Sequence, residues 1–555
     1  MNKNLISLFL IAILIAGCQP SKNEIIVTVL DEVFAPIDSR LFGQFLEKPS
    51  WHGEWGPEAA LIPGTHQLQD GVTEIMETMN IPVLRFPGGT DVNFQDWTTM
   101  IDNVPGRTAG RPVFVGHAGD SVTNNFGYDE ACQLAEELGS EMMLVINFGD
   151  AYFGRKSIED AAMHEAGLLA YCNAEVGATL PEGMPDWPAI RAKNGHPEPH
   201  NVKYVQIANE PWVMDRQLKR FGTIDPELKE QYFNSLEAFI KAFKEVDPDI
   251  QIIADGNSED LTLPLKDMFG DDIDYLSYHI YKPWGINKIL SNDKEIPRDS
   301  ISEEAIWKAW VAVPEFDAAG MCVLDNRVYN MVKLAGYPIA VTEWNWNGWW
   351  GINSVDQDQL GSHFTKGMGA AGFIHALMRE DENIPIANQS MLVGKSWGIT
   401  GIRVSPTMEF EPHAYPTGQV TGFYARNHGN QLLKIDTENI PVYKQPYQMS
   451  GITAVDTVAY LDVLATRNND KIFIHIINRH FDEGLNISLD LSELSETDKN
   501  GTHHTLTGNL KNVPCGDSSD EVACFDKKDF NVKSNNAKVL LPARSVSILE
   551  FNINE

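Results

Sequence analysis

The stretch "YVQIANEPW" (204–212) ends an apolar run on a carboxylate. Tyr204 to Ile207 have the composition of a buried strand, and the chain then presents Asn209, Glu210, Pro211 and Trp212. Burying a charge without a partner is expensive, so a glutamate at a strand tip asks for a purpose. A second stretch, "PIAVTEWNW" (338–346), repeats the pattern of apolar run, glutamate and tryptophan. Two such tips suggest a pair of carboxylates acting together.

Six further runs share the character of these two. They are "LFGQFLE" (41–47), "IPVLRFP" (81–87), "MMLVINFG" (142–149), "IQIIADG" (250–256), "IDYLSYHIY" (273–281) and "IPIANQ" (384–389). Helix-like segments lie between them: "DEACQLAEELG" (129–139) carries Ala131, Leu134 and Leu138 at helical spacing, and "NSLEAFIKAFKEV" (234–246) carries Leu236, Phe239, Ile240 and Phe243. Continuous apolar strands alternating with amphipathic helices predict a parallel sheet. Eight strands favour an α/β fold of the (β/α)8 TIM-barrel type, over residues 39–429, rather than an open doubly wound sheet. Catalytic groups of such barrels sit where strands end, which is where Glu210 and Glu343 fall.

From residue 430 onward the period changes to two. "DKIFIHIIN" (470–478) sets Ile472, Ile474 and Ile476 on one face and Phe473 and His475 on the other, and "VAYLDVLAT" before it completes a hairpin. "NISLDLS" and "ARSVSILEF" alternate in the same way, predicting a C-terminal β-sandwich over 430–555. The strand "EIIVTVL" (24–30), within a tether of residues 18–38, is expected to join it. Composition shifts at the same place, since all 13 tryptophans lie between Trp51 and Trp397.

The chain has 555 residues, 43% of them hydrophobic and 10% aromatic, enough for a large core and a second domain. A net charge of −34 argues against nucleic acid or an anionic membrane surface as partner, both of which need a basic face. Residues 1–17 read as a signal peptide: "MNKN" precedes the 13-residue apolar stretch "LISLFLIAILIAG", too short for a stable membrane anchor. The ending "LIAGC" resembles the bacterial lipobox and makes Cys18 the expected lipidation site, an ordinary cleaved signal being the alternative. The expectation is an exported lipoprotein of the outer membrane, periplasm or cell surface, touching membrane only through its lipid. Cys132, Cys172 and Cys322 read as buried free thiols, and Cys515 and Cys524 as a local disulfide.

Paired carboxylates suit a retaining glycosidase, in which one acts as nucleophile and the other as general acid/base. Arg85, at the tip of the second strand, is placed to hold the nucleophile ionised. Asn209 is a hydrogen-bonding group for a sugar hydroxyl, and Trp212, Trp344, Trp346, Trp349 and Trp350 offer faces for sugar rings. "GKSWG" (394–398) matches G-x-S-x-G, but Gly401 and Pro406 break the helix that a serine nucleophile elbow requires. "MHEAG" has Leu168 where a zincin needs its second histidine. No metal or organic cofactor is implied, because two carboxylates and water suffice.

The run "RAKNGHPEPHNVKYVQIANEPW" (191–212) resembles the acid/base segment of glycoside hydrolase family 51, the α-L-arabinofuranosidases. "LFGQFLE", "VLRFPGG", "VTNNFGYDE" (122–130), "IDYLSYHIY" and "VTEWNW" are similar to further segments of that family, in order. The resemblance implies a clan A barrel with a C-terminal sandwich, Glu210 as acid/base and Glu343 as nucleophile. It also implies a sugar subsite lined by Glu47, Arg85, Asn209, His279 and Tyr281, with Trp344 as a stacking face. Three departures touch the pocket: Thr90 stands where the family has Asn, Met391 where it has Gln (Gln389 being close by), and "KPSWHGEWGPEAA" (48–60) replaces a glycine-rich stretch. The implied activity is removal of terminal α-L-arabinofuranose from a polysaccharide or oligosaccharide. An endo-acting clan A hydrolase and a non-catalytic surface glycan-binding lipoprotein are the alternatives.

Overall fold

The computed structural model describes residues 24–211, 226–256, 259–283, 285–312, 335–346, 349–350, 364–380, 383–449, 452–494, 500–508, 523–533 and 535–553. Cys18, Trp212, Cys322, Cys515 and the side chains of Trp349 and Trp350 lie outside the described residues.

Eight parallel strands close into a barrel: β1 (Gly43–Phe45), β2 (Val83–Phe86), β3 (Glu141–Ile146), β4 (Tyr204–Ile207), β5 (Gln251–Asp255), β6 (Tyr275–Lys282), β7 (Ile339–Trp346) and β8 (Ile386–Ser390). Each pairs with its sequence neighbours, and β8 returns to β1 with Asn388 opposite Gly43. All eight coincide with the apolar runs read from sequence, as expected of strands buried on both faces. Val83, Met143, Tyr204, Ile253, Ala340 and Ile386 meet in the lumen as a separate apolar cluster. That cluster fills the barrel, so polar side chains are left to the strand ends.

The surrounding helices begin and end on local signals. The helix Tyr128–Leu138 starts where the Glu130 carboxylate folds back to accept from the Gly127 N–H (2.7 Å), and stops at Gly139 with φ +67°. In Pro226–Val246 the residues Leu236, Phe239, Ile240 and Phe243 bury one stripe against the barrel.

β7 carries an irregularity that matters for the site. Ala340 lies opposite Ser277 of β6, but Glu343 lies opposite His279, so β7 holds one residue more than its neighbour. The same shift appears against β8, between Val341 and Trp344. Such a bulge reverses which side chains face inward beyond it.

Eight C-terminal strands and the N-terminal strand Ile25–Pro36 form one hydrogen-bonded sheet of nine. Ile25–Thr28 pairs on one side with Ile487–Asp490, and on the other the strand Ile25–Pro36 pairs along its length with Gln431–Glu438, whose Gln431–Leu433 in turn meets Ala465–Arg467. Register shifts fall between the two halves of Ile25–Pro36. Bent strands of this kind make the corners that carry a sheet from one layer to the next. Ile472, Ile474 and Ile476 face the sheet's own core, while Phe473 and Ile477 face the barrel helices with Val546 and Ile548. At that junction the buried Asp462 accepts from Arg479 (2.8 Å) and Arg379, with His375 beside it (3.2 Å).

Cys132 and Cys172 are buried free thiols, and Cys524 is disulfide-bonded. Among the described residues no helix is long and apolar enough to cross a membrane.

Candidate active site

The C-terminal end of β4 is held in an unusual backbone conformation. Ala208 (φ +70°) and Glu210 (φ +51°) both lie in the left-handed region, which costs a non-glycine residue on the order of 1–3 kcal/mol. Hydrogen bonds around it hold this shape: Gln206 Nε2 donates to the Ala208 carbonyl (3.1 Å), and Asn93 Nδ2 donates to the Asn209 carbonyl (2.9 Å). The result turns Glu210 toward the barrel axis instead of continuing the strand.

Arg85, fully buried at the end of β2, organises the centre. Its Nη1 donates to Glu343 Oε1 (2.9 Å), its Nη2 to Asn209 Oδ1 (2.7 Å) and its Nε to Gln206 Oε1 (2.8 Å). The guanidinium also lies over the Phe45 ring, 4.2 Å from its centroid. Tyr281 donates its hydroxyl to the other oxygen of Glu343 (2.8 Å). Burial, with Glu343 and Glu47 nearby, pushes the Tyr281 phenol well above its usual range, so it remains a donor at any working pH.

His279 stands between the two glutamates. Its Nδ1 is 3.0 Å from Glu210 Oε1 and 3.5 Å from Glu343 Oε2, and its Nε2 is 2.8 Å from Thr342 Oγ1. Burial, helped by the Arg85 charge and opposed by Glu343, lowers the imidazole to about 4, so it is neutral near pH 7. Ligating atoms of Glu210, His279 and Glu343 all lie within 4.8 Å of one another. That is metal-like spacing, but the fixed positive charge of Arg85 on Glu343 opposes a cation.

Glu47 enters from the end of β1, buried and without a hydrogen-bond partner among the described residues. Burial and the adjacent Glu343 and Asp91 carboxylates, opposed by Arg85, raise it well above the ordinary range. Two glycines permit this crowding. A Cβ on Gly88 (φ +55°) would lie 2.2 Å from the Phe45 ring, and one on Gly89 (φ +65°) 2.2 Å from Glu47 Oε1.

Thus Glu47, Arg85, Asn209, Glu210, His279, Tyr281 and Glu343 converge, whereas Trp344 does not. Its ring is fully buried outside the lumen, stacked on Phe373 of the helix Phe364–Arg379 (centroids 4.6 Å, interplanar 4°). Trp346 is likewise fully buried. The reading of Trp344 as a sugar face is therefore corrected, because the β7 bulge turns Glu343 inward and Trp344 out. Gln389 also points away from the site, accepting from Thr421 (2.7 Å) and from Gln44 (3.3 Å). Sequence reasoning missed Gln206, Asn93, Thr342 and Phe45; Gln206, a polar residue inside an apolar strand, was the one visible signal.

Ser396 of "GKSWG" is no nucleophile. Its hydroxyl donates to the buried carboxylate of Glu54 (2.8 Å), and among the described residues no histidine contacts it.

A (β/α)8 barrel with an appended sheet, presenting two close carboxylates from its strand ends, defines a class of glycosidase scaffold. Residues 75–293 match the family model of the α-L-arabinofuranosidase 1 domain. The chain is 30% identical over 267 residues to an intracellular exo-α-(1→5)-L-arabinofuranosidase of Acetivibrio thermocellus, covering 45% of this chain and 46% of that one. It therefore spans about half the length of this relative. It is 23% identical over 497 residues to the enzyme of the same name from Halalkalibacterium halodurans, covering 83% and 86%. The fold is that of the α-L-arabinofuranosidase from Thermotoga maritima solved with arabinose (TM-score 0.68, 24% identity, 96% and 100% covered). It is also that of AbfB, a family 51 α-L-arabinofuranosidase from Bifidobacterium longum (TM-score 0.70, 18% identity, 95% and 99% covered). The sequence likeness over residues 75–293 is thus to the α-L-arabinofuranosidase 1 domain, and the fold is the one these solved arabinofuranosidases share.

Proposed function

We propose that the protein is a retaining α-L-arabinofuranosidase that removes terminal arabinofuranosyl residues, with Glu343 as nucleophile and Glu210 as general acid/base. The observation that carries this reading is the spacing of the two carboxylates, within 4.8 Å around His279, which suits double displacement and leaves no room for the water of an inverting site. Arg85 and Tyr281 both donate to Glu343, which favours it as the nucleophile and Glu210 as the acid/base. In the first step a Glu343 oxygen attacks the anomeric carbon while Glu210 gives its proton to the leaving oxygen. In the second, water attacks the same carbon, its proton passes to Glu210, and the bond to Glu343 breaks. The neutral His279 orients both carboxylates without adding charge between them. The Glu47 carboxyl and the Asn209 amide are hydrogen-bonding groups for sugar hydroxyls. Arabinofuranoside is preferred as the sugar because the relatives above carry that name. Proton NMR of p-nitrophenyl α-L-arabinofuranoside cleavage tests the reading: the α-anomer should appear first and mutarotate later. Initial release of the β-anomer, or no cleavage alongside activity on pyranosides, would refute it.

The protein is further proposed to be lipid-anchored outside the cytoplasm through Cys18, which would set it apart from relatives named as intracellular. Labelled palmitate should enter the wild type and not Cys18→Ser; equal labelling would end the idea.

A further inference from the structure

Beside the catalytic centre runs a line of aromatic rings that the chemistry above does not use. Trp397 and Trp51 meet edge to face at 4.6 Å, Trp51 meets His117 at 6.0 Å, His117 stacks with Phe94 at 6.3 Å, and Phe94 stacks with Phe153 at 6.0 Å. Trp51, Phe94, Phe153 and Trp397 are half-buried, each keeping part of its ring in solvent. The rings come from four separate segments, following β1, β2, β3 and β8.

Two buried carboxylates hold these segments together. Asp91 accepts from the Ser50 N–H and hydroxyl (2.8 and 2.7 Å) and from the His117 N–H and Nδ1 (2.9 and 2.7 Å). Glu54, fully buried, accepts from the N–H groups of Trp55, Lys395, Ser396 and Trp397 (2.9, 2.8, 2.7 and 3.0 Å). Burying a carboxylate is costly unless its hydrogen bonds are complete, and here they are spent on fixing loops that carry Trp51, His117 and Trp397. Rings held in advance lose little freedom on binding, which is how a site gains affinity without new contacts.

The line is continuous with the acid/base end of the centre. Phe94 directly follows Asn93, whose amide donates to the carbonyl of Asn209, next to Glu210. The acid/base stands beside the glycosidic oxygen, so the leaving part of the substrate departs on this side. We infer that the aromatic line is the binding surface for the leaving-group glycan, engaging the apolar faces of neutral sugars. This rests on the proposed glycosidase reading. The glycan is neutral because the chain carries a net charge of −34 and the nearby cations are engaged: Arg155 with Asp150, the Asn93 carbonyl and one face of Phe94 and Phe153, and Lys395 over the Trp55 ring.

The test compares α-(1→5)-arabino-oligosaccharides of two to five residues with α-L-arabinofuranosyl fluoride, whose leaving group has no face to stack. For the wild type, kcat/KM should rise with oligosaccharide length. In Trp51→Ala and Phe94→Ala the rise should flatten, and the ratio of oligosaccharide to fluoride kcat/KM should fall at least tenfold, while Trp51→Phe keeps most of it. An unchanged ratio in both alanine variants overturns the inference, as does a wild type indifferent to length. If the wild type fails to turn over the fluoride, the arabinofuranosidase reading has failed instead. Calorimetric binding of neutral arabinan, xylan and β-glucan fragments then decides: at least tenfold weakening in Trp51→Ala upholds the surface, and equal binding removes it.

Discussion

Ala340 and Glu343 face the same barrel lumen although they lie three positions apart on one strand. Regular alternation would set them on opposite faces. The extra residue of the bulge reconciles them, and the Thr342 hydroxyl within it bonds His279 Nε2 at 2.8 Å. Thr342→Val keeps the shape and removes that bond. The expected outcome is a roughly tenfold loss of kcat, matching one buried hydrogen bond of about 1–1.5 kcal/mol, with KM little changed. A larger change in KM than in kcat would mean that the bond holds substrate and not the imidazole.

Arg85 bonds Glu343, Asn209 and Gln206 through three different nitrogens. A lysine ammonium cannot reproduce that planar fork, so Arg85→Lys should lose on the order of 10²–10³ in kcat/KM, comparable with other preorganised charge contacts. Arg85→Ala leaves the Glu343 charge buried and uncompensated, which should cost about 3–5 kcal/mol of stability in urea unfolding. Wild-type unfolding midpoints for both variants would show that the pair contributes nothing to the fold.

Several buried histidines make the fold acid-sensitive. Burial lowers His279 to about 4 and lowers His375 and His475 at the junction of barrel and sheet. His475 faces His375, His428, Tyr424 and Thr466, among which it meets no carboxylate to stabilise its charged form. Between the unfolded value of 6.5 and the folded value, the unfolded chain binds a proton that the folded one refuses. Stability is therefore intact above about pH 6.5 and falls as pH drops toward 4, by on the order of 3 kcal/mol for His279 alone. Urea midpoints measured from pH 7.5 to 4.5 should decline, and His475→Gln should decline less steeply. A flat profile would mean that these rings are solvated.

The eight barrel strands were legible because each is a short apolar run, a pattern fixed locally by burial on both faces. Glu210 and Glu343 stood out because a charge at the end of such a run needs a reason. The bulge in β7 was not legible: it is defined against β6 and β8, and nothing in "AVTEWNW" marks the extra residue. That is why the sequence suggests a sugar-facing Trp344 beside the proposed nucleophile. Glu54 and Asp91 were hidden for a related reason, since their partners lie 341–343 and 26–41 residues away. The register shifts within Ile25–Pro36 were likewise unreadable, because they are defined only against Gln431–Glu438, some 400 residues later.

The roles of Glu210 and Glu343 separate by what each variant does with azide. An acid that protonates the leaving oxygen matters little when the leaving group is already good. Glu210→Ala should therefore keep most of its first-step rate on a dinitrophenyl arabinofuranoside while losing about 10²–10⁴ on natural substrate, the usual worth of general acid catalysis. Its second step lacks a base, so the glycosyl-enzyme should accumulate. Azide needs no deprotonation and should accelerate that step, giving a glycosyl azide with the anomeric configuration of the substrate. Glu343→Ala has no nucleophile and should be nearly inactive on both substrates. Azide entering the space beside Arg85 and Tyr281 would attack directly and give the opposite anomer. The two carboxylates share His279 and lie within 4.8 Å, so proximity cannot distinguish them, whereas the product anomer can. Exchanged configurations would reverse the assignment, and full activity in both variants would remove the pair from the chemistry.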